Sequence, residues 1–145
     1  MNAKGDIEVD YHHLVEDLAL VLGSTLKKCL GDYVGIRRYG FSIEDTMGGS
    51  IEVAVDLGAR PYFVYNSETR FRLIDELDPT LIKHFFRSFS DSARMNLHIT
   101  QKGDYPLPLT TFRDMFACVG KAVAMAAEID SRAPNQLHTS KGQFG

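Results

Sequence analysis

Several things are missing from this sequence, and each absence removes a class of protein. No apolar run approaches the length of a membrane span, and the opening "MNAKGDIEVD" has no apolar signal core, so neither a membrane partner nor export is expected. Basic charge is not in excess: 16 Lys and Arg stand against 19 Asp and Glu, a net charge of −3. Such a chain offers no field for a phosphate backbone, and nucleic acid is not an expected partner. Cysteine is scarce. Cys29 and Cys118 lie far apart, both within helical patterns, which excludes a disulfide scaffold and makes a reducing cytoplasm the expected location. Both thiols read as buried small hydrophobes. Repeated or biased tracts are also lacking. What remains is a globular composition, 44% hydrophobic and 24% charged over 145 residues, enough for one domain with its own core.

The periodicities divide the chain. "KGDIEVD" alternates Ile7 and Val9 with charged neighbours and predicts a short strand. Leu14, Val15, Leu18, Leu22 and Leu26 recur at helical spacing, predicting a helix from His12 to Cys29 or Leu30, capped by Asp10 and stopped by Gly31. "GIRRYGFSIE" reads as a strand and "TMGGS" as a break. "IEVAVDL" reads as a half-buried strand, "GARP" as a turn and "YFVYN" as the next strand, which together predict a β-meander. A helix begins at Asp78 and Pro79, with Leu81, Ile82, Phe85, Phe86 and Phe89 on its apolar face. "MNLHITQ" is a further strand. "TTFRDMFACVGKAVAMAAEI" is a last helix with a capping-box-like Thr111 and Asp114. The order β-α-β-β-β-α-β-α, with mainly antiparallel strands and helices on one face, predicts an α+β sandwich.

The densest chemistry is "DYHHLVED", two histidines and three carboxylates in eight residues. Helical spacing puts His12 on one face with Glu16, and His13 with Asp17. Imidazole and carboxylate on one turn suit a divalent metal. The two histidines point about 100° apart around the axis, so they can feed two ions but complete neither. A solvated first turn, where carboxylates meet the positive end of the helix dipole, accounts for the same residues without a metal. His98, between Leu97 and Ile99 in "NLHIT", is the remote ligand candidate, while His84 beside Lys83 reads as surface cover and His138 lies in the tail. Arg37 and Arg38 in "GIRRYG" fall on opposite faces of a strand, and Arg60 sits on a turn. Their planar forks suit a phosphate ester or, equally, surface ion pairs.

"AKGDIEVDYHHLVEDLALVLG", "LGDYVGIRRYG", "IEVAVDLGARPYFVYN", "LIKHFFRSFSDSARMNLHI" and the tail "HTSKGQF" together resemble the imidazoleglycerol-phosphate dehydratases, manganese-dependent hydro-lyases of histidine biosynthesis. The first stretch is similar to the family's DxHHxxED signature, and the likeness runs over nearly the whole chain in order. It implies a βαβ-type repeat sandwich (ribosomal protein S5 domain 2-like) and a symmetric oligomer with sites between subunits. It also implies manganese ions that bind the imidazole of a small phosphorylated substrate. Residue by residue, it implies metal ligation by His12, His13, Glu16 and His98, with Glu16 also catalytic as the carboxylate that moves a proton. It implies phosphate contacts from Arg37 or Arg38, Arg60 and Lys141. Residues 1–31 would end a first half-repeat, 32–130 would form a full second repeat, and 131–145 the tail.

The chain departs from that pattern in ways that bear on activity. In the family an earlier half-repeat with a "DHML" histidine precedes this point. A second HHxxE, expected around Leu109, Thr110 and Arg113, is replaced by "GDYPLPLTTFRDMF", which has no histidine and no glutamate. An arginine at a ligand position repels a cation. The acidic segment before the central strand is replaced by "TMGGS", and a lysine expected early in the last helix aligns with Ala117. The expected function is dehydration of imidazoleglycerol phosphate to imidazoleacetol phosphate, impaired in the chain alone and with manganese occupancy reduced or absent. A homo-oligomer or a complementing subunit would complete it. The alternative is a non-catalytic paralogue that binds metal or phosphate, or serves regulation or assembly.

Overall fold

A computed structural model describes residue 5 and residues 11–46, 48–67, 78–103 and 108–139. The strand expected at "KGDIEVD" and the Asp10 cap lie outside them, apart from Gly5. The elements run α1 (His12–Leu30), β1 (Tyr39–Thr46), β2 (Gly49–Asp56), β3 (Tyr62–Ser67), α2 (Thr80–Ala93), β4 (Asn96–Gly103) and α3 (Pro108–Ala127). Helix α1 ends as expected, at Gly31 with φ 59°, while its N-cap position is Tyr11, which offers no side-chain hydrogen bond. The second helix starts at Thr80, just after Asp78 and Pro79, and the Asp78 carboxylate accepts the Thr80 amide at 2.9 Å. That bond and the Thr80 hydroxyl hold its carboxyl below the ordinary range. The last helix starts at Pro108, three residues before Thr111, which is therefore buried inside the helix instead of capping it.

The four strands form one sheet in the order β1-β2-β4-β3. β1 and β2 are antiparallel, as are β2 and β4, but β3 lies parallel to β4. The expected meander is thus corrected: β3 never pairs with β2, and α2 carries the chain in a β-α-β crossover that inserts β4 between them. The reason lies in composition. Ile51, Val53 and Val55 of β2 and Leu97 and Ile99 of β4 are buried, so these two strands belong in the middle. β3 follows Pro61, which lacks an amide donor and is tolerated at the start of an edge strand.

One face of the sheet carries the core. Its inward side chains meet Phe112, Met115, Cys118 and Val119 of α3 and Ile82 and Phe86 of α2. Burying each large side chain contributes about 1.5–3 kcal/mol. Cys118 fulfils its expected role there, with burial pushing its thiol pKa up. Cys29 does not, for it is exposed. The other face of the sheet is open, exposing Tyr39, Phe41, Ile43 and Tyr62.

Helix α1 buries a different stripe from the one its leucines mark. Its buried residues are Ala19 and Gly23, while Leu22 is exposed. The two small residues let α1 approach α2 closely. A Cβ on Gly23 would lie 2.6 Å from the Phe89 carbonyl oxygen and 2.8 Å from the Ala93 nitrogen, and Ser92 donates to the Leu20 carbonyl at 2.7 Å. Leu22 and Leu26 border an apolar groove of about 360 Å³ instead, together with Cys29, Phe85, Phe89 and Phe116. Alanine is the better helix former by about 1 kcal/mol, but backbone overlap costs more. Gly23→Ala should lower the unfolding free energy by about 1 kcal/mol or more in urea denaturation. Equal or higher stability would mean that the helices do not touch here.

Candidate functional site

The close approach of α1 and α2 brings chemistry together. The two helices run in the same direction, since Leu20–Gly23 meet Phe89–Ala93 and, two turns earlier, the ring of His12 meets that of His84 with centroids 5.0 Å apart. Glu16 completes the group from the next turn of α1, its Oε2 3.9 Å from His12 Nε2. His13 is exposed, its ring 6.0 Å from His12 and edge-on to it. His84 is exposed, in keeping with its reading as surface cover, and its ring also meets that of His12. Nothing local to "IKHFF" signals this, because only the pairing of two helices far apart in sequence creates it.

His98 is placed elsewhere. It faces the open side of the sheet, between buried Leu97 and Ile99, opposite Ala54 on β2 and Val64 on β3. Its ring lies 6.0 Å from that of Tyr62. The sheet itself separates it from α1, so it cannot join His12 and Glu16 within one chain. The chemistry of His12, His84 and Glu16 fits a divalent ion in kind. Among the described residues, no three His, Cys, Asp or Glu side chains are grouped closely enough to hold an ion by themselves.

The arginines form a second locus. Both precede β1 instead of lying in a strand, so the expected two-faced arrangement gives way to a turn in which Arg38 adopts φ 70°. A non-glycine residue in that region is strained by about 1–3 kcal/mol and persists only when its surroundings hold it. Here they do. Asp56 accepts from Arg38 Nε at 2.6 Å and Nη2 at 3.0 Å, Arg38 Nη1 donates to the His138 carbonyl, and the guanidinium lies 4.7 Å above the Tyr39 ring. The Asp56 hydrogen bond is the main reason the Arg38 pKa is raised. Arg37 turns instead to Glu128 at 2.8 Å, on the surface. The backbone at Gly58 comes close to the Arg38–Asp56 pair, with a Cβ there 2.8 Å from Arg38 Nη2. The turn bearing exposed Arg60 therefore belongs to the same corner as Arg38 and the tail. Lys141 lies outside the described residues.

Comparison with known proteins agrees with both the sequence resemblance and this fold. A family profile described as imidazoleglycerol-phosphate dehydratase matches residues 1–127. An imidazoleglycerol-phosphate dehydratase of Gluconacetobacter diazotrophicus is 35% identical over 142 residues, covering 98% of this chain and 71% of the relative. One from Citrifermentans bemidjiense is 37% identical, covering 99% and 73%. The crystal structure of the imidazoleglycerol-phosphate dehydratase of Staphylococcus aureus superposes with a TM-score of 0.79 at 26% identity, over 89% of this chain and 72% of that one. The Pyrococcus furiosus enzyme shares the fold at a TM-score of 0.76 and 23% identity. The chain belongs to the imidazoleglycerol-phosphate dehydratase family.

Proposed function

We propose that this chain is a dehydratase subunit of histidine biosynthesis that converts imidazoleglycerol phosphate to imidazoleacetol phosphate, and that it does so poorly alone because it carries only part of a manganese cage. The observation that carries this reading is the juxtaposition of His12, His84 and Glu16 in a chain of this family. His12 and His84 would offer imidazole nitrogens to the ion, with His13 turned outward toward a second one. A bound divalent ion supplies the positive charge that holds and polarises the substrate's imidazole ring. Glu16, the carboxylate in reach, would move the proton. Arg38 and Arg60, followed by Lys141 in the tail, would grip the phosphate, with Asp56 keeping the Arg38 fork in one orientation. Arg37, already paired with Glu128, takes no part. His98 enters only if the open sheet face meets another subunit.

In this reading a second copy or a complementing subunit supplies further donors. The exposed aromatic and aliphatic side chains of the open sheet face and the apolar groove beside α1 support association, since monomers rarely leave such surfaces bare. Residues 1–31 would then close a first half-repeat and 32–130 form the second. Among the described residues no helix is long and apolar enough to cross a membrane.

A second reading, a non-catalytic subunit that keeps the phosphate corner, is favoured by one observation. At the start of α3, where the family would supply ligands, Leu109 and Thr110 are exposed and Arg113 pairs with its neighbour Asp114 at 3.4 Å. Turnover of imidazoleglycerol phosphate with added manganese separates the two readings. The first predicts slow turnover that vanishes in His12→Ala, and no turnover by the wild type selects the second. For the phosphate corner, Arg60→Ala should weaken inorganic phosphate binding, read by thermal shift, by about tenfold or more. An unchanged shift would remove Arg60 from the phosphate side.

A further inference from the structure

Helix α3 is apolar on two sides. One side packs on the sheet through Phe112, Met115, Cys118 and Val119. The other is bare. Leu109, Phe116, Ala117, Gly120 and Ala124 are all exposed, and their helical spacing puts them on one stripe. Leu109 is 71% exposed. Arg113, the charged member of the stripe, is paired with its sequence neighbour Asp114 at 3.4 Å.

Gly120, at the middle of the stripe, is not accounted for by packing within one copy. Glycine is a poor helix former, and a Cβ at Gly120 would meet nothing within 4 Å. Gly23 of α1 shows what a glycine inside a helix does in this molecule: it lets the backbone of α2 lie directly against it. A bare apolar face with a glycine at its middle is one half of a contact of that kind. A helix that is apolar all round is normally buried.

Size and charge along the stripe identify the other half. Before Gly120 the side chains are large, namely Leu109, Arg113 and Phe116, and after it they are small, namely Val123, Ala124 and Ala127. A second α3 laid antiparallel about a twofold axis at Gly120 brings residues before the glycine over residues after it, large on small. Phe116, its ring already 4.9 Å from that of Phe85, meets the partner's Val123 and the partner's Ala127. Arg113 comes beside the partner's Glu128, a residue whose carboxylate lies on the surface 2.8 Å from Arg37. A parallel pair would instead set Phe116 on Phe116 and Arg113 on Arg113. The antiparallel contact is isologous, so it closes at two copies. It also runs on into the groove beside Phe116, which Leu22 and Leu26 line, widening the patch toward the roughly 800 Å² per partner of a stable interface.

We propose that two copies of this chain associate through an antiparallel α3–α3 contact centred on Gly120. The pairing uses none of the metal or phosphate residues, so its failure leaves the proposed function standing.

Sedimentation equilibrium of the intact chain should show a dimer with a Kd of about 10 µM or below. Gly120→Leu places its side chain in open space within one copy, so the fold should persist, with an unchanged far-ultraviolet circular dichroism spectrum. The same variant should weaken the dimer by about tenfold or more. Arg113→Glu should weaken it as well, by setting two carboxylates together, and adding Glu128→Arg to that chain should restore association. A wild-type chain that stays monomeric at about 100 µM, its α3 face left to a different polypeptide, overturns the proposal. So does a dimer that Gly120→Leu leaves unchanged, which places the interface elsewhere, as on the open sheet face. A double charge reversal that associates no better than Arg113→Glu alone overturns the antiparallel register.

Discussion

The ligand cluster proposed for this chain depends on how closely α1 lies against α2. Glycine at 23 and alanine at 19 leave no side-chain bulk between the two backbones, and the Ser92 hydroxyl bonds across the gap to the Leu20 carbonyl. Because the helices run the same way, that contact propagates toward their N-termini and sets His12 against His84. Larger side chains on the shared face would spread the helices by ångströms, more than a two-histidine site tolerates. The same choice of small residues leaves Leu22 and Leu26 of α1 to a groove that α2 and α3 also line. One constraint thus sets His12 beside His84 and leaves an apolar groove between α1, α2 and α3.

The second organising constraint is the corner where Arg38 sits. Its left-handed backbone is stable only because Asp56 holds the guanidinium by two N–H groups while a third reaches the tail. The sheet order contributes as well. With β4 inserted beside β2, the chain leaving β2 has to cross to the far edge before β3 begins, and the turn that does so carries Gly58 and Arg60 past the Arg38–Asp56 pair. Strain at one residue, a crossover and a returning tail therefore meet at one end of the sheet, which is how residues 38, 56, 60 and 138 come to share a neighbourhood.

How far this could be read from the sequence varied with the range of the interaction. Local periodicity placed α1 within a residue of its observed ends, along with the apolar faces of α2 and β2 and the buried Leu97 and Ile99, because these depend on neighbours three or four residues away. It failed where a distant partner decides. The meander was wrong because no turn signal says that a strand arriving later will be more apolar and take the central place. Thr111 looked like a cap because the helix start at Pro108 has no better marker. Cys29 looked buried because its helix is buried on another stripe. His84 was read as surface cover and His98 was favoured as the remote ligand: a mid-strand histidine flanked by leucine and isoleucine looks sheltered, yet alternation turns it to the opposite side of the sheet from α1. The sorting of the two adjacent arginines, Arg38 to the corner and Arg37 to the surface, needed the tail and Asp56.

Within one chain, the proposed metal donors are His12, Glu16 and His84, with His98 on the far face of the sheet. The electron paramagnetic resonance signal of free manganese, followed as the ion is titrated into the purified chain, tests it most directly. Loss of the bound fraction in His84→Ala, as in His12→Ala, with His98→Ala binding like the wild type, is the predicted result. Metal lost in His98→Ala and retained in His84→Ala would contradict the account.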